Sequence, residues 1–173
     1  MKLVRPSVEY KDSYLVGLHE FRIDGICVDY DEAAIAEDFE GFVQRQLDDY
    51  DESKIPVGHV PYLRLWAVHD GEFVGHVTIR CGMNEDVWKK GNVGYAVVPS
   101  RRSQGFGRMM LVEALARIER MCGEGHWHWM VLVVCGVANT WSRKIAESCG
   151  GRWVGTHEPD GSKVVYLMPI GGC

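Results

Sequence analysis

The sequence predicts an α/β fold, a mixed central β-sheet flanked by helices, and three features carry that expectation. The short β-branched run Val93 to Val98 leads through a basic, glycine-bearing turn into apolar residues at helical spacing, Met110, Leu111, Ala114, Leu115, Ile118, Met121 and Cys122. A second apolar run, Met130 to Val134, precedes a helix-like stretch from Asn139 to Gly151, so strand and helix alternate as a parallel pair requires. Two strand-like runs, Tyr62 to Val68 and Phe73 to Cys81, meet at Asp70-Gly71, two residues that tolerate positive φ and so mark a tight hairpin.

The remaining elements follow in order. Leu3 to Arg5 is an opening strand closed by Pro6, and Ser7 is placed to cap a helix carrying Tyr14, Leu15, Leu18 and Phe21. Asp31 caps a second helix whose stripe is Ile35, Phe39, Phe42, Val43 and Leu47, and a loop follows from Lys54 to Pro61. Gly82 to Lys90 interrupts the strands with a polar and aromatic loop or helical turn. Strands near Arg152 to His157 and Val164 to Met168 finish the chain.

With 173 residues, 46% of them hydrophobic and 25% charged, the chain is of one-domain size, and a single domain over 1–173 is expected. A net charge of −5 argues against nucleic acid as a partner, because phosphate contacts need a basic face. Ten acids between Asp29 and Glu52 face one base, Arg45, which fits either a solvated helix face or part of a site for a cationic substrate. The six cysteines lack the spacing of a disulfide scaffold, so a reducing cytoplasm is expected. No apolar leader or bilayer-length stretch is present, and Gly171-Gly172-Cys173 is not a prenylation box, so no membrane partner is expected.

The central turn reads as a phosphate cradle. A helix starting near Gly105 offers main-chain N–H groups without intrahelical partners, and its dipole favours anions. Gly105 and Gly107 allow close approach, Arg101, Arg102 and Arg108 add positive charge, and Phe106 points to the core. Neither the Walker ending nor the third glycine of the dinucleotide fingerprint is present, since Met110 stands in that place.

Arg102-Ser103-Gln104-Gly105-Phe106-Gly107 resembles the Gln/Arg-x-x-Gly-x-Gly/Ala signature of the GNAT superfamily of N-acetyltransferases. Asn139 to Gly151 is similar to its later Asn-x-x-Ser/Ala helix with closing glycines. The resemblance implies splayed fourth and fifth strands, Val93–Val98 and Met130–Cys135, with acetyl-CoA as cosubstrate lying between them. It implies that main-chain groups of Val97 and Val98 meet the pantetheine, that Arg102, Ser103, Gln104, Gly105, Phe106, Gly107 and Arg108 hold the pyrophosphate, and that Asn139 and Ser142 lie near the pantetheine or phosphate. An N-cap role fits Asn139 as well.

Two proton carriers common in that superfamily are missing here. Ala146 stands where a tyrosine acid is frequent, and Gly91 where a glutamate base is frequent. The remaining catalytic candidates are Glu85 and Tyr95, with Arg80 and Asn84 as substrate contacts and Cys135 either a cleft residue or a small core hydrophobe. Glu85 is suited to accept a proton directly or through water, or is a solvent-facing acid. Cys122, His126, His128 and Cys135 lack tight metal-ligand spacing, so no metal is expected, and Trp127 and Trp129 read as core or cleft wall. The expected activity is acetyl-CoA-dependent acetylation of a small-molecule or peptide amine by direct transfer through a tetrahedral intermediate. The alternatives are a non-catalytic acyl-CoA-binding module and a transferase of longer acyl chains; either a monomer or a homodimer fits.

Overall fold

A computed structural model describes residues 1–123, 131–157 and 161–170. The hairpin forms as expected from β2 (Tyr62–His69) and β3 (Glu72–Arg80), with Asp70 and Gly71 at φ 52° and 82°, the doubly positive pattern of a tight two-residue connection. The opening strand β1 (Lys2–Val4) pairs with β2, and β4 (Val93–Val97) with β3, giving a four-stranded antiparallel sheet in the order β1-β2-β3-β4. Strands β5 (Val131–Gly136), β6 (Arg152–His157) and β7 (Lys163–Met168) make a second antiparallel sheet in the order β5-β7-β6.

Between the sheets the fourth and fifth strands, β4 and β5, are splayed as expected, with no continuous ladder joining them. β4 and β5 meet at an isolated bridge, Gly91 with Val133, and at Asn92, whose N–H donates to the Leu132 carbonyl at 2.7 Å. The reason lies in Asn92 itself, which is 1% exposed. Its Oδ1 accepts from the Leu132 N–H at 2.9 Å, and its amide donates to the carbonyls of Arg80 (3.2 Å) and Gly82 (3.1 Å). A side chain thus takes a hydrogen bond that a ladder would give to main chain, and the strands part beyond it. At Gly91, φ is +78° and an added Cβ would lie 2.8 Å from the Leu132 carbonyl oxygen and 2.9 Å from the Val134 nitrogen, so only glycine fits the crossing.

The helices are α1 (Lys11–Ile23), α2 (Glu32–Glu37), α3 (Phe39–Asp48), α4 (Glu85–Lys90), α5 (Phe106–Gly123) and α6 (Thr140–Ser148). Ser7 caps a 3₁₀ turn, Val8–Tyr10, that leads into α1. The stripe expected to be one helix after Asp31 is two, because Asp38 leaves helical geometry (φ −117°, ψ 62°) and its carboxylate accepts from the Gly41 N–H at 2.9 Å, capping α3. The stretch before β4 contains α4, capped by Asn84 Oδ1 on the Val87 N–H at 2.8 Å.

Helix α5 buries Met110, Leu111, Ala114 and Ile118 completely against Val77, Ile79 and Val93 of the first sheet and Val131 and Tyr166 of the second. On the opposite face of the first sheet, α1 and α3 enclose Trp66, which stacks on Tyr14 at 4.4 Å and donates its indole N–H to Gln46 Oε1 at 3.0 Å. These two cores hold β4 from both sides. The readings placed on His126, Trp127, His128, Trp129, Met130 and Gly171 to Cys173, and on the Cys122 side chain, lie outside the described residues.

Candidate active site

The site begins with the hydrogen-bond phase of β4. Val98 donates to the Val74 carbonyl (3.0 Å), and Arg80 donates to that of Asn92 (2.8 Å). Alternation then directs Ala96, opposite His76, and Gly94, opposite Thr78, toward β3. The main-chain groups of Tyr95 and Val97 are left facing the side where β5 has parted. Both main-chain groups of Val98 are occupied, its carbonyl by the Arg101 N–H at 2.8 Å, so the open edge runs through Tyr95 and Val97.

A cavity of about 590 Å³ runs along this edge. Tyr95, Ala96 and Val97 form its floor, α6 supplies Asn139, Ser142 and Ile145, and Asp24 and Ile26 close it from the α1–α2 connection. Asn139 is also the α6 N-cap, accepting from the Ser142 N–H at 3.0 Å, so one side chain caps the helix at the cavity wall. Ala146 is fully buried in the core on the same helix.

At the outer end lies the glycine turn. Ser103 and Gly105 have φ of 64° and 83°, which rotates the chain into the first turn of α5. Among the described residues, no acceptor is bonded to the main-chain N–H groups of Gly105, Phe106, Gly107 and Arg108. Phe106 is 5% exposed and turns its ring to the core, 5.0 Å from that of His69. An added Cβ at Gly107 would lie 2.9 Å from Ile145 Cδ1 and 3.5 Å from Tyr95 Cε2, which places this glycine at the inner wall.

The arginines of the turn divide their tasks. Arg101 pairs with Glu72. Arg102 holds Asp24 in a two-point contact (3.2 and 2.5 Å) and donates Nε to the Val97 carbonyl at 3.3 Å. The Arg102–Asp24 hydrogen bond holds the Asp24 carboxyl below the usual carboxylate range. Glu20 accepts from both the N–H and the hydroxyl of Ser100 at 2.8 Å. Three acids from α1, its C-cap and the hairpin therefore fix the turn, while Arg108, exposed at the cavity wall, has no polar partner among the described residues.

The Tyr95 phenol oxygen is buried, and among the described residues the nearby Ser142 hydroxyl falls short of full hydrogen-bonding geometry to it. Burial pushes its pKa up to about 12, and the neighbouring Ser142 hydroxyl offsets only part of the rise. Cys135, half-buried at the end of β5, has its thiol pKa raised by burial, which disfavours the thiolate.

The other expected residues stand apart from the cavity. Gln104 is exposed beside it. Arg80 donates to the Gly91 carbonyl at 3.0 Å and braces the junction; Asn84 caps α4 and donates to the Gly58 carbonyl at 3.0 Å. Glu85 projects from the solvent-facing first turn of α4, its side chain 83% exposed, and Lys89, bonded at 2.5 Å, lowers its pKa. Sequence reasoning missed Asn92 and Asp24. The isolated Gly91-Asn92 ahead of a strand was the one signal for the first, and an ion pair between positions 24 and 102 leaves no local signal.

The family model described as "Acetyltransferase (GNAT) family" matches residues 23–150, more than half of the chain. No curated protein matches. Among solved structures, the microcin C7 self-immunity acetyltransferase MccE in complex with acetyl-CoA and AMP superposes with a TM-score of 0.65 at 16% identity, covering 97% of this chain and 91% of its own. RimL, the ribosomal L7/L12 alpha-N-protein acetyltransferase in complex with coenzyme A, gives 0.66 at 15%, covering 97% and 93%. A GNAT-family acetyltransferase from Bordetella pertussis gives 0.63 at 16%, covering 96% and 93%. With the parted strands, the glycine turn and the capped α6 helix all inside the matched span, the chain belongs to the GNAT acetyltransferase family.

Proposed function

We propose that the protein transfers the acetyl group of acetyl-CoA directly to an amine of a small molecule or peptide. The observation that supports this most is the coincidence, in one cavity, of unbonded amides at Gly105 to Arg108 with an open strand edge at Tyr95 and Val97. A pyrophosphate suits the first, where amides and helix dipole converge and Arg108 adds charge. The amide-bearing pantetheine suits the second, which offers both main-chain groups of Tyr95 and the Val97 N–H, the Val97 carbonyl already accepting from Arg102. Arg102 contributes by holding the turn, since its charge is already met by Asp24.

In this reading the acyl carbon sits at Tyr95, where a main-chain N–H is available to the oxygen that gains charge as the amine attacks. Tyr95 lines the same cavity, and its buried phenol stays protonated across the working pH range, so in this reading it protonates the departing thiolate. Asn139 and Ser142 hold the α6 side of the cavity. Glu85 is not used, being ion-paired in solvent, and the amine's proton passes to water.

The test is thiol release from acetyl-CoA across a panel of primary amines and N-terminal peptides. Acetylated amine and free thiol should appear in equal amounts. Acetyl-CoA binding without release against any acceptor would leave a binding module instead.

A further inference from the structure

Trp141 is a large apolar side chain at the cavity wall that packing does not explain. It is 72% exposed, although tryptophan is among the most buried residue types on average. One turn further along α6, Ile145 turns inward toward Gly107, whereas Trp141 stays exposed on the wall of the cavity that Arg108 also lines. The Lys144 ammonium stands 5.4 Å from the centroid of its ring. An exposed aromatic plate with one cation over its ring and a second, Arg108, lining the same cavity is a fit for a planar, electron-rich base attached to an anion.

The proposed orientation of acetyl-CoA, on which this inference rests, says which base. With the pyrophosphate on the amides of Gly105 to Arg108 and the pantetheine running inward along Tyr95 and Val97, the nucleoside is carried outward on the other ester, past Arg108. We propose that Trp141 is the stacking platform for the adenine of the donor and that Lys144, with Arg108, receives its 3′-phosphate. The cavity thereby selects an acyl group carried on coenzyme A over the same group on the phosphopantetheine of a carrier protein, which ends in a phosphodiester with no base.

Calorimetry with acetyl-CoA, acetyl-dephospho-CoA and S-acetyl-4′-phosphopantetheine tests this. Trp141→Ala should weaken both nucleotide-bearing ligands by about tenfold, the lower part of the range for base–aromatic stacking, and leave the phosphopantetheine ligand within about twofold. Trp141→Leu, which keeps apolar bulk without the π face, should behave alike. Lys144→Ala should weaken acetyl-CoA by about threefold and spare acetyl-dephospho-CoA, as expected for one exposed charge pair. Unchanged acetyl-CoA affinity in both Trp141 variants, the outcome if the indole serves a protein partner, would overturn the proposal, as would an equal loss on all three ligands. If the parent binds none of them, the donor-cavity reading itself fails; if the parent binds acetyl-CoA and Trp141→Ala binds it equally well, only the nucleotide platform fails.

Discussion

In the proposed mechanism Tyr95 supplies the proton for the leaving thiolate, and its phenol is buried and far from ionising at neutral pH. Tyr95→Phe keeps the ring and removes the proton. It should lower kcat by about a hundredfold, in the range of a lost general acid, and leave the acetyl-CoA dissociation constant unchanged. Steady-state thiol release checks this, and a parental kcat would assign the thiolate's proton to water. His76 makes a different prediction. Burial and the nearby Arg64 push its pKa down to about 4, and its ring packs 5.3 Å from Phe21. The folded protein keeps this imidazole neutral, whereas the unfolded chain protonates it near the ordinary 6.5, so stability falls as pH drops from about 6.5 toward 4. His76→Gln should flatten that slope in urea titrations at pH 7 and pH 5, and an unaltered slope would place the acid sensitivity elsewhere. At this scale the sequence was partly legible. Asn139 and Gly105 follow local rules of capping and positive φ, and both stand where those rules put them. Asp24 and Glu20 could not be read, because their partners Arg102 and Ser100 lie about 80 residues away and any surface acid looks the same in sequence.

Among the elements, the decisive feature is the parting of β4 from β5, and Asn92 with Gly91 produces it. Gly91 also explains why no acid stands there, since a side chain at the crossing would run into the main chain of β5. Asn92→Ala would strand the Arg80 and Gly82 carbonyls and the Leu132 N–H. At about 1 kcal/mol or more for each buried group left unpaired, the loss should be about 3 kcal/mol. Chemical denaturation measures it, and a loss below about 1 kcal/mol would mean that the junction holds without the side chain. Hairpin, glycine turn and most helices were legible from period and turn chemistry. The break between α2 and α3 was hidden because the apolar stripe continues across Asp38, and only the cap geometry shows that the helix restarts there.

For the molecule as a whole, the acidic stretch that stands out in the composition is largely consumed by structure. Asp31, Asp38 and Asp51 cap helical turns, Glu32 pairs with Arg22, Asp48 with Lys54 and Asp49 with Arg64. The first sheet, its two cores and the ties from α1 together present a turn whose amides face a cavity and whose arginines are mostly engaged in holding it. Acetyl-CoA affinity should therefore depend on access to those amides more than on the turn's net charge. Gly107→Asp puts a carboxylate at the inner wall of that turn, against the flexible end of Ile145 and among the donors proposed to hold phosphate. Calorimetric titration of acetyl-CoA into the parent and into this variant, with thermal melts alongside, is the direct measurement. Saturable binding by the parent and none by a variant that still melts cooperatively is the expected result; equal affinity in the two proteins would contradict it.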